Sequence, residues 1–284
     1  METKEKQQQW NLLKDKSLHV VRKRDGKILK ISFEELLVRN GDEEYEVYSS
    51  CHSHADLGFA EIQSVVSFLQ SACAPSDLAE LRERIDAPMD KETFRDIVEN
   101  YEGFFDLRKT NDEETFSFKR IVDGEEKLET VDKKPYMQNL LFKSPVKKDT
   151  GVQKILPGFP DENGAGGGAG CGCLFVERDA IRKMCPACMA AALFNKASCA
   201  PSFGGGFKVG LRGAAPLTVL VYHEDLRKMA WLNVIPMDSS LYPDGEENMP
   251  TWTHPYEAGE KSKNKTTGDP IVNPGNFGAF RGLF

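Results

Sequence analysis

Three consecutive glycines, Gly204, Gly205 and Gly206, stand between Phe203 and Phe207 in the run Pro201-Ser-Phe-Gly-Gly-Gly-Phe-Lys208. Gly210-Leu-Arg-Gly213 follows at once. Glycine lacks a Cβ, so its backbone can approach another molecule closely and can take positive φ. Ordering such a run costs conformational entropy and adds little to a core. Two readings follow. The run is a flexible connector between a helix and a strand, or it is a rigid loop, held by its two aromatics, whose backbone presses against a polymer or a phosphate. It is not a P-loop, because no Gly-Lys-Ser/Thr follows. In the second reading Lys208 and Arg212 supply phosphate contacts, which add affinity but carry no sequence information.

The flanking sequence predicts an α+β fold of short antiparallel sheets and packed helices. Leu18 to Phe33 reads as a hairpin, with Asp25-Gly26 suited to the positive-φ positions of a tight turn. Ser32 and Glu35 have the spacing of a capping box. Ile62, Val65, Val66, Leu69 and Cys73 recur at helical spacing, and Pro75-Ser76 ends that helix. Ser76 can then cap a second helix carrying Leu78, Leu81 and Ile85, and Asp90 caps a third carrying Phe94, Ile97, Val98 and Tyr101. Phe116 and Phe118 alternate with polar residues as in a strand. Residues 143–170 are rich in Gly, Pro, Asp and Lys and read as a long loop. Cys173 to Val176 reads as a short strand and Met189 to Asn195 as a helix by propensity. Leu217 to Tyr222 is a strand candidate, Asp225 to Leu232 a helix, and 238–276 a polar, loop-like tail.

Charge and cysteine usage narrow the function. The net charge of -7 argues against a general nucleic-acid coat, but residues 171–230 carry eight Lys/Arg against four Asp/Glu, a local basic surplus. Met1 to Gln9 is polar and charged, unlike a secretory signal, and no apolar run approaches a membrane span of about 20 residues. The expected compartment is therefore the cytoplasm, where the seven cysteines do not form a disulfide framework.

Five of those cysteines cluster, at 171, 173, 185, 188 and 199. Cys185-Pro-Ala-Cys188 spaces two thiolates for one tetrahedral metal, which is half of a zinc site. Cys171 and Cys173 can complete it. The alternative is a buried, reduced pair without metal. Cys51-His52-Ser53-His54 reads as loop, with no partner cluster. Gly164 to Gly170 fits a dinucleotide fingerprint poorly, because it follows a loop and precedes a strand-like segment. No G-x-S-x-G elbow or H-E-x-x-H is present, and no proton-transfer pair stands out. The chain is not expected to be an enzyme.

Several segments together carry a resemblance. Cys188-Met-Ala-Ala-Ala-Leu-Phe-Asn195, Ala200-Pro-Ser-Phe-Gly-Gly-Gly-Phe-Lys208, Gly210-Leu-Arg-Gly213, Asp225-Leu-Arg227, Leu232-Asn-Val234, Pro250-Thr-Trp252 and Arg281-Gly-Leu-Phe284 follow one another in order. In this the sequence resembles the large subunit (CasA) of the type I-E CRISPR Cascade complex, with weaker similarity at Trp10-Asn-Leu-Leu13, Arg82 to Pro88 and Pro135 to Leu141.

The resemblance implies a non-catalytic subunit of an RNA-guided surveillance complex. Such a subunit recognises the protospacer-adjacent motif in target duplex DNA, aids unwinding and recruits a helicase-nuclease. Protein would read the short motif and base pairing the rest. It implies that Ser202, Phe203, Gly204, Gly205 and Gly206 approach the motif from the minor groove, whose width favours glycine. This chain departs at Ser202, where the family has glycine. It further implies contact with the 5′ handle of the guide RNA by Phe175, with Arg178, Arg182 and Lys183 suited to RNA phosphates. Other Cascade subunits are implied partners, and no membrane is. Cys185 and Cys188 match half of a family zinc site. The other half, the remaining motif-reading elements and a C-terminal four-helix bundle would lie beyond position 284, leaving 1–284 as an incomplete N-terminal domain. The competing function is a zinc-binding assembly protein that contacts only protein partners.

Overall fold

The computed structural model describes residues 9–38, 43–48, 55–107, 114–122, 125–138, 152–156, 181–198, 219–241, 252, 258–263 and 270–272. In chain order the first elements are β1 (Leu18–Arg22), β2 (Lys27–Ile31), α1 (Phe33–Leu37) and β3 (Tyr45–Val47). The helices α2 (Ala55–Ala72), α3 (Leu78–Asp86) and α4 (Lys91–Tyr101) come next. They are followed by the hairpin β4 (Thr115–Val122) and β5 (Glu125–Asp132). Then come α5 (Pro186–Ser198), α6 (Leu226–Leu232), β6 (Ala258–Lys263) and β7 (Pro270–Val272). The sheets are small and antiparallel: β2-β1-β3, β4-β5 and β6-β7. The expected α+β class is what the structure shows.

Strand period explains the first sheet. Leu18 and Val20 point into the core, at 2% and 0% exposure, while His19 takes the other face. The register pairs His19 with Lys30 across the hairpin, so these two polar residues are neighbours. The turn is longer than the sequence predicts. It runs through four residues, and Asp25 does not take positive φ; only Gly26 does, at +67°. The Asp25 carboxylate instead accepts from Arg22 Nε and Nη2 and from the Lys27 amide.

The capping box at the start of α1 is present in both directions, Ser32 Oγ accepting from Glu35 N and Glu35 accepting from Ser32 N. The caps of α3 and α4 are Asp77 and Asp90. Ser76 is therefore not the cap of α3. Asp77 takes that place because its carboxylate reaches two free amides, Ala79 and Glu80, at 2.8 and 2.9 Å. Nor does α3 bury Leu78, which is 60% exposed; no residue of this helix is fully buried. Residues 219–222 form no strand: the Val221 amide and carbonyl are both taken by the Asn233 side chain. The tail is not all loop either, since β6 and β7 form a hairpin there and Trp252 is buried.

One apolar core runs from Leu12 to Trp252 and joins α1, α2, α4, α6 and the first two hairpins. Aromatic edges meet throughout it, with Phe68 between Phe33 and Phe105, and Trp252 against Phe105 and Tyr136. At one end a polar cluster replaces apolar contact. Asp106 accepts from Asn11 Nδ2 at 2.8 Å and from Gln9 Nε2 at 2.9 Å, and faces Lys133 Nζ at 2.5 Å. The α5 helix packs along α2 through Ala191 and Ala192, small residues that allow close approach. That packing sets the N-terminus of α5 beside the first sheet.

Candidate functional site

Cys185 immediately precedes Pro186, the first residue of α5. Proline suits that position, since its missing N–H would have no helical partner. The Cys185 sulfur then does what a serine or aspartate oxygen does at other helix starts, accepting the Cys188 amide N–H at 3.4 Å. The spacing Cys-x-x-Cys returns Cys188 to the same side of the turn. The two sulfurs lie 3.2 Å apart and both are free thiols.

Two other elements face this pair. Lys30 of β2 extends its ammonium to 3.3 Å from Cys185 Sγ, across 155 positions of sequence. His19 of β1, the cross-strand neighbour of Lys30, is held by Glu61 of α2. One Glu61 carboxylate oxygen accepts the His19 backbone N–H at 2.8 Å and the other meets Nδ1 of the ring at 2.6 Å. Glu61 is buried, at 7% exposure. A ring nitrogen of His19 and the two sulfurs lie within 4.8 Å of one another. Among the described residues this is the only such cluster of three metal-ligating side chains.

The two thiols differ in acidity. Burial pushes Cys185 up, but the Cys188 amide and thiol and the Lys30 ammonium all stabilise its thiolate and bring it below the ordinary cysteine value. Cys188 is pushed well up, first by burial and then by donating to Cys185. Two cysteine sulfurs with an imidazole close by are donors that suit a borderline-soft divalent ion. Tetrahedral zinc with Zn–S of about 2.3 Å needs sulfurs roughly 3.7 Å apart, a small opening from the 3.2 Å seen.

Of the predicted nucleic-acid residues, Arg182 and Lys183 are described, and both are exposed directly before Cys185. Ser202, Phe203, Gly204, Gly205, Gly206, Lys208, Arg212, Phe175 and Arg178 lie outside the described residues. So do Cys171, Cys173, the run Cys51 to His54 and the stretch 164–170. Sequence reasoning found the two cysteines but missed His19, Lys30 and Glu61. Strand alternation shows that His19 leaves the core face, yet nothing local ties it to a cysteine in another part of the chain.

The α+β architecture, with its small antiparallel sheets around a helical core, is one found among CRISPR-associated proteins. Its overall course matches the crystal structure of Thermobifida fusca Cse1 with a TM-score of 0.54 at 18% identity, over 87% of this chain and 42% of that one. The Cse1 structure from Acidimicrobium ferrooxidans matches with the same score at 15% identity, over 88% and 43%. The chain thus spans less than half the length of these solved proteins. Residues 125–274 match the family described as CRISPR-associated protein Cse1. The chain belongs to the Cse1 family of CRISPR-associated proteins.

Proposed function

We propose that this chain serves a Cascade complex as a non-catalytic reader of target DNA. Ser202, Phe203, Gly204, Gly205 and Gly206 enter the minor groove at the protospacer-adjacent motif, with Lys208 and Arg212 on the phosphates. Arg182 and Lys183, with Phe175 and Arg178, meet the 5′ handle of the guide RNA. The subunit aids unwinding and presents the opened duplex to a helicase-nuclease. The observation that carries this reading is the family match over residues 125–274, which takes in both the Cys-x-x-Cys and the glycine loop. The exposure of Arg182 and Lys183 supports the RNA contact, since phosphate-binding cations need open faces.

The test is Gly205→Asp in the full-length subunit, assembled into its complex. A carboxylate beside phosphates and a side chain in a narrow groove both oppose binding. Motif-dependent duplex affinity should fall roughly tenfold or more, the scale of a lost base-pair contact, while assembly is unchanged. Unchanged affinity would favour an assembly protein that touches only protein partners.

A further inference from the structure

We propose that the outer edge of β5 is a docking edge, to which an extended, basic segment of a partner protein adds as a third strand of the β4-β5 sheet. The inference is independent of the DNA reading and of the cysteine pair. Among the described residues β5 pairs only with β4, in a regular antiparallel register over eight residues. No proline or glycine interrupts Glu125–Asp132.

Register fixes which backbone groups are open. The Lys133 amide donates to the Glu114 carbonyl at 2.8 Å, so the pair next to Thr115 and Asp132 is a hydrogen-bonded one. Alternation then bonds residues 125, 127, 129 and 131 to β4 and turns the N–H and C=O of Glu126, Leu128, Thr130 and Asp132 outward. The same alternation turns Lys119 outward on β4, and there the edge is closed. The Asn100 side chain of α4 accepts the Lys119 N–H at 2.6 Å and donates to its carbonyl at 3.1 Å. The β5 edge has no such cover among the described residues. The root of the hairpin is firm, since Phe118 is 1% exposed and Phe116 meets Phe104 edge-on, with centroids 4.5 Å apart. A preorganised edge loses little freedom when a strand is added to it.

Charge selects the occupant. The strand carries Glu125, Glu126, Glu129 and Asp132 against Lys127 alone. Glu126 and Asp132 share the open face with Leu128, which is 71% exposed. Lys119 and Lys134 reach these two carboxylates at 2.7 and 3.5 Å, but pairs this exposed contribute little. Two β5 strands paired with each other would set like charges opposite, and a phosphate backbone would be repelled. The acidic side chains thus guard the edge against self-association without closing it to a basic strand. A segment with lysine or arginine opposite Glu126 and Asp132, and an apolar residue opposite Leu128, complements it in both charge and burial.

The experiment uses the 284-residue chain and two capped octapeptides as probes, one alternating lysine with valine and one alternating glutamate with valine. Amide hydrogen exchange is read residue by residue by NMR. The lysine peptide should slow exchange at Glu126, Leu128, Thr130 and Asp132 by roughly tenfold at about 1 mM, which corresponds to a Kd of about 0.1 mM. Residues 127, 129 and 131, already bonded to β4, should change least. Binding should weaken with salt. It should be lost in the double variant Glu126→Lys with Asp132→Lys, which should take the glutamate peptide instead. Leu128→Pro removes one outward donor and spares the ladder to β4, so it should weaken binding by about tenfold. Should that variant not fold, the double charge reversal, which alters only exposed side chains, carries the test. No protection by the lysine peptide, equal binding of both peptides, unchanged binding in the charge-reversed chain, or a dimer of the free chain paired through β5 would each overturn the proposal.

Discussion

Glu80 shows how one side chain can carry a pH response. Its carboxylate accepts from the Ser76 amide and hydroxyl, each at 2.8 Å, and from Arg84 Nη2 at 2.9 Å. The Ser76 amide is the largest cause, followed by Arg84, and together they hold the carboxyl at about 2 against an ordinary 4.5. A group depressed in the folded state stabilises the protein above its unfolded pKa and loses that stabilisation as pH falls. The window here runs from about 4.5 down through about 2. Glu80 is partly open to solvent, so the contribution is screened to about 1 kcal/mol. Glu80→Gln should therefore lower Tm near neutrality, and the gap to wild type should close by the acid end of that window. A gap independent of pH across it would show that the stabilisation is packing, not charge. The Ser76–Glu80 contact was not visible in the sequence, where Ser76 reads as the cap itself. Asp77 took that role because its carboxylate is one atom longer and meets two amides at once.

At the scale of elements, α3 is the instructive case. Its nine residues bury no side chain fully, and helices this short are marginal in isolation. Leu81 and Ile85 pack partly on the core, and Arg227 of α6, itself 1% exposed, holds the helix end. Its Nη1 donates to the carbonyls of Arg84 and Ala87 at 2.8 and 2.9 Å, and Nη2 to Ile85 at 2.7 Å. These carbonyls lie at the C-terminal end of α3, where helical partners run out and positive charge is favoured. The Arg84 guanidinium lies over the Trp231 ring of α6, 5.8 Å from its centroid. Arg227→Met should cost about 3 kcal/mol in urea unfolding, because buried carbonyls lose charged donors. Amide exchange in α3 should accelerate most. Arg227→Lys should recover only part, since an ammonium cannot span three carbonyls in a plane. Equal exchange in α3 and α2 after Arg227→Met would mean that this contact is not what anchors the helix. Sequence spacing marked α3 as a helix, and of its apolar residues Leu81 and Ile85 do pack on the core while Leu78 does not; the hold by Arg227 leaves no local mark.

Over the whole molecule, one core links residues from Leu12 to Trp252. Trp252 is 3% exposed, with its ring centroid 5.1 Å from Tyr136 and 5.9 Å from Phe105. Trp252→Ala should destabilise by about 3–5 kcal/mol. Tryptophan fluorescence and far-ultraviolet circular dichroism should still be lost in one coincident transition, because Trp231 shares that core. Separated transitions would show two cooperative units. Local pattern by itself determined much of this protein: the first hairpin, the capping box of α1, the helices α2, α4, α5 and α6, the α+β class and the family. These follow from periods of two and 3.6 residues, from caps and from short motifs, all of which act over a few neighbouring positions. Only the tertiary structure decided that β1, β2, α2 and the start of α5 meet, so that His19, Lys30 and Glu61 surround Cys185 and Cys188. That convergence comes from the α5 alanines packing on α2 and from hairpin register, and neither leaves a mark within a few residues of His19.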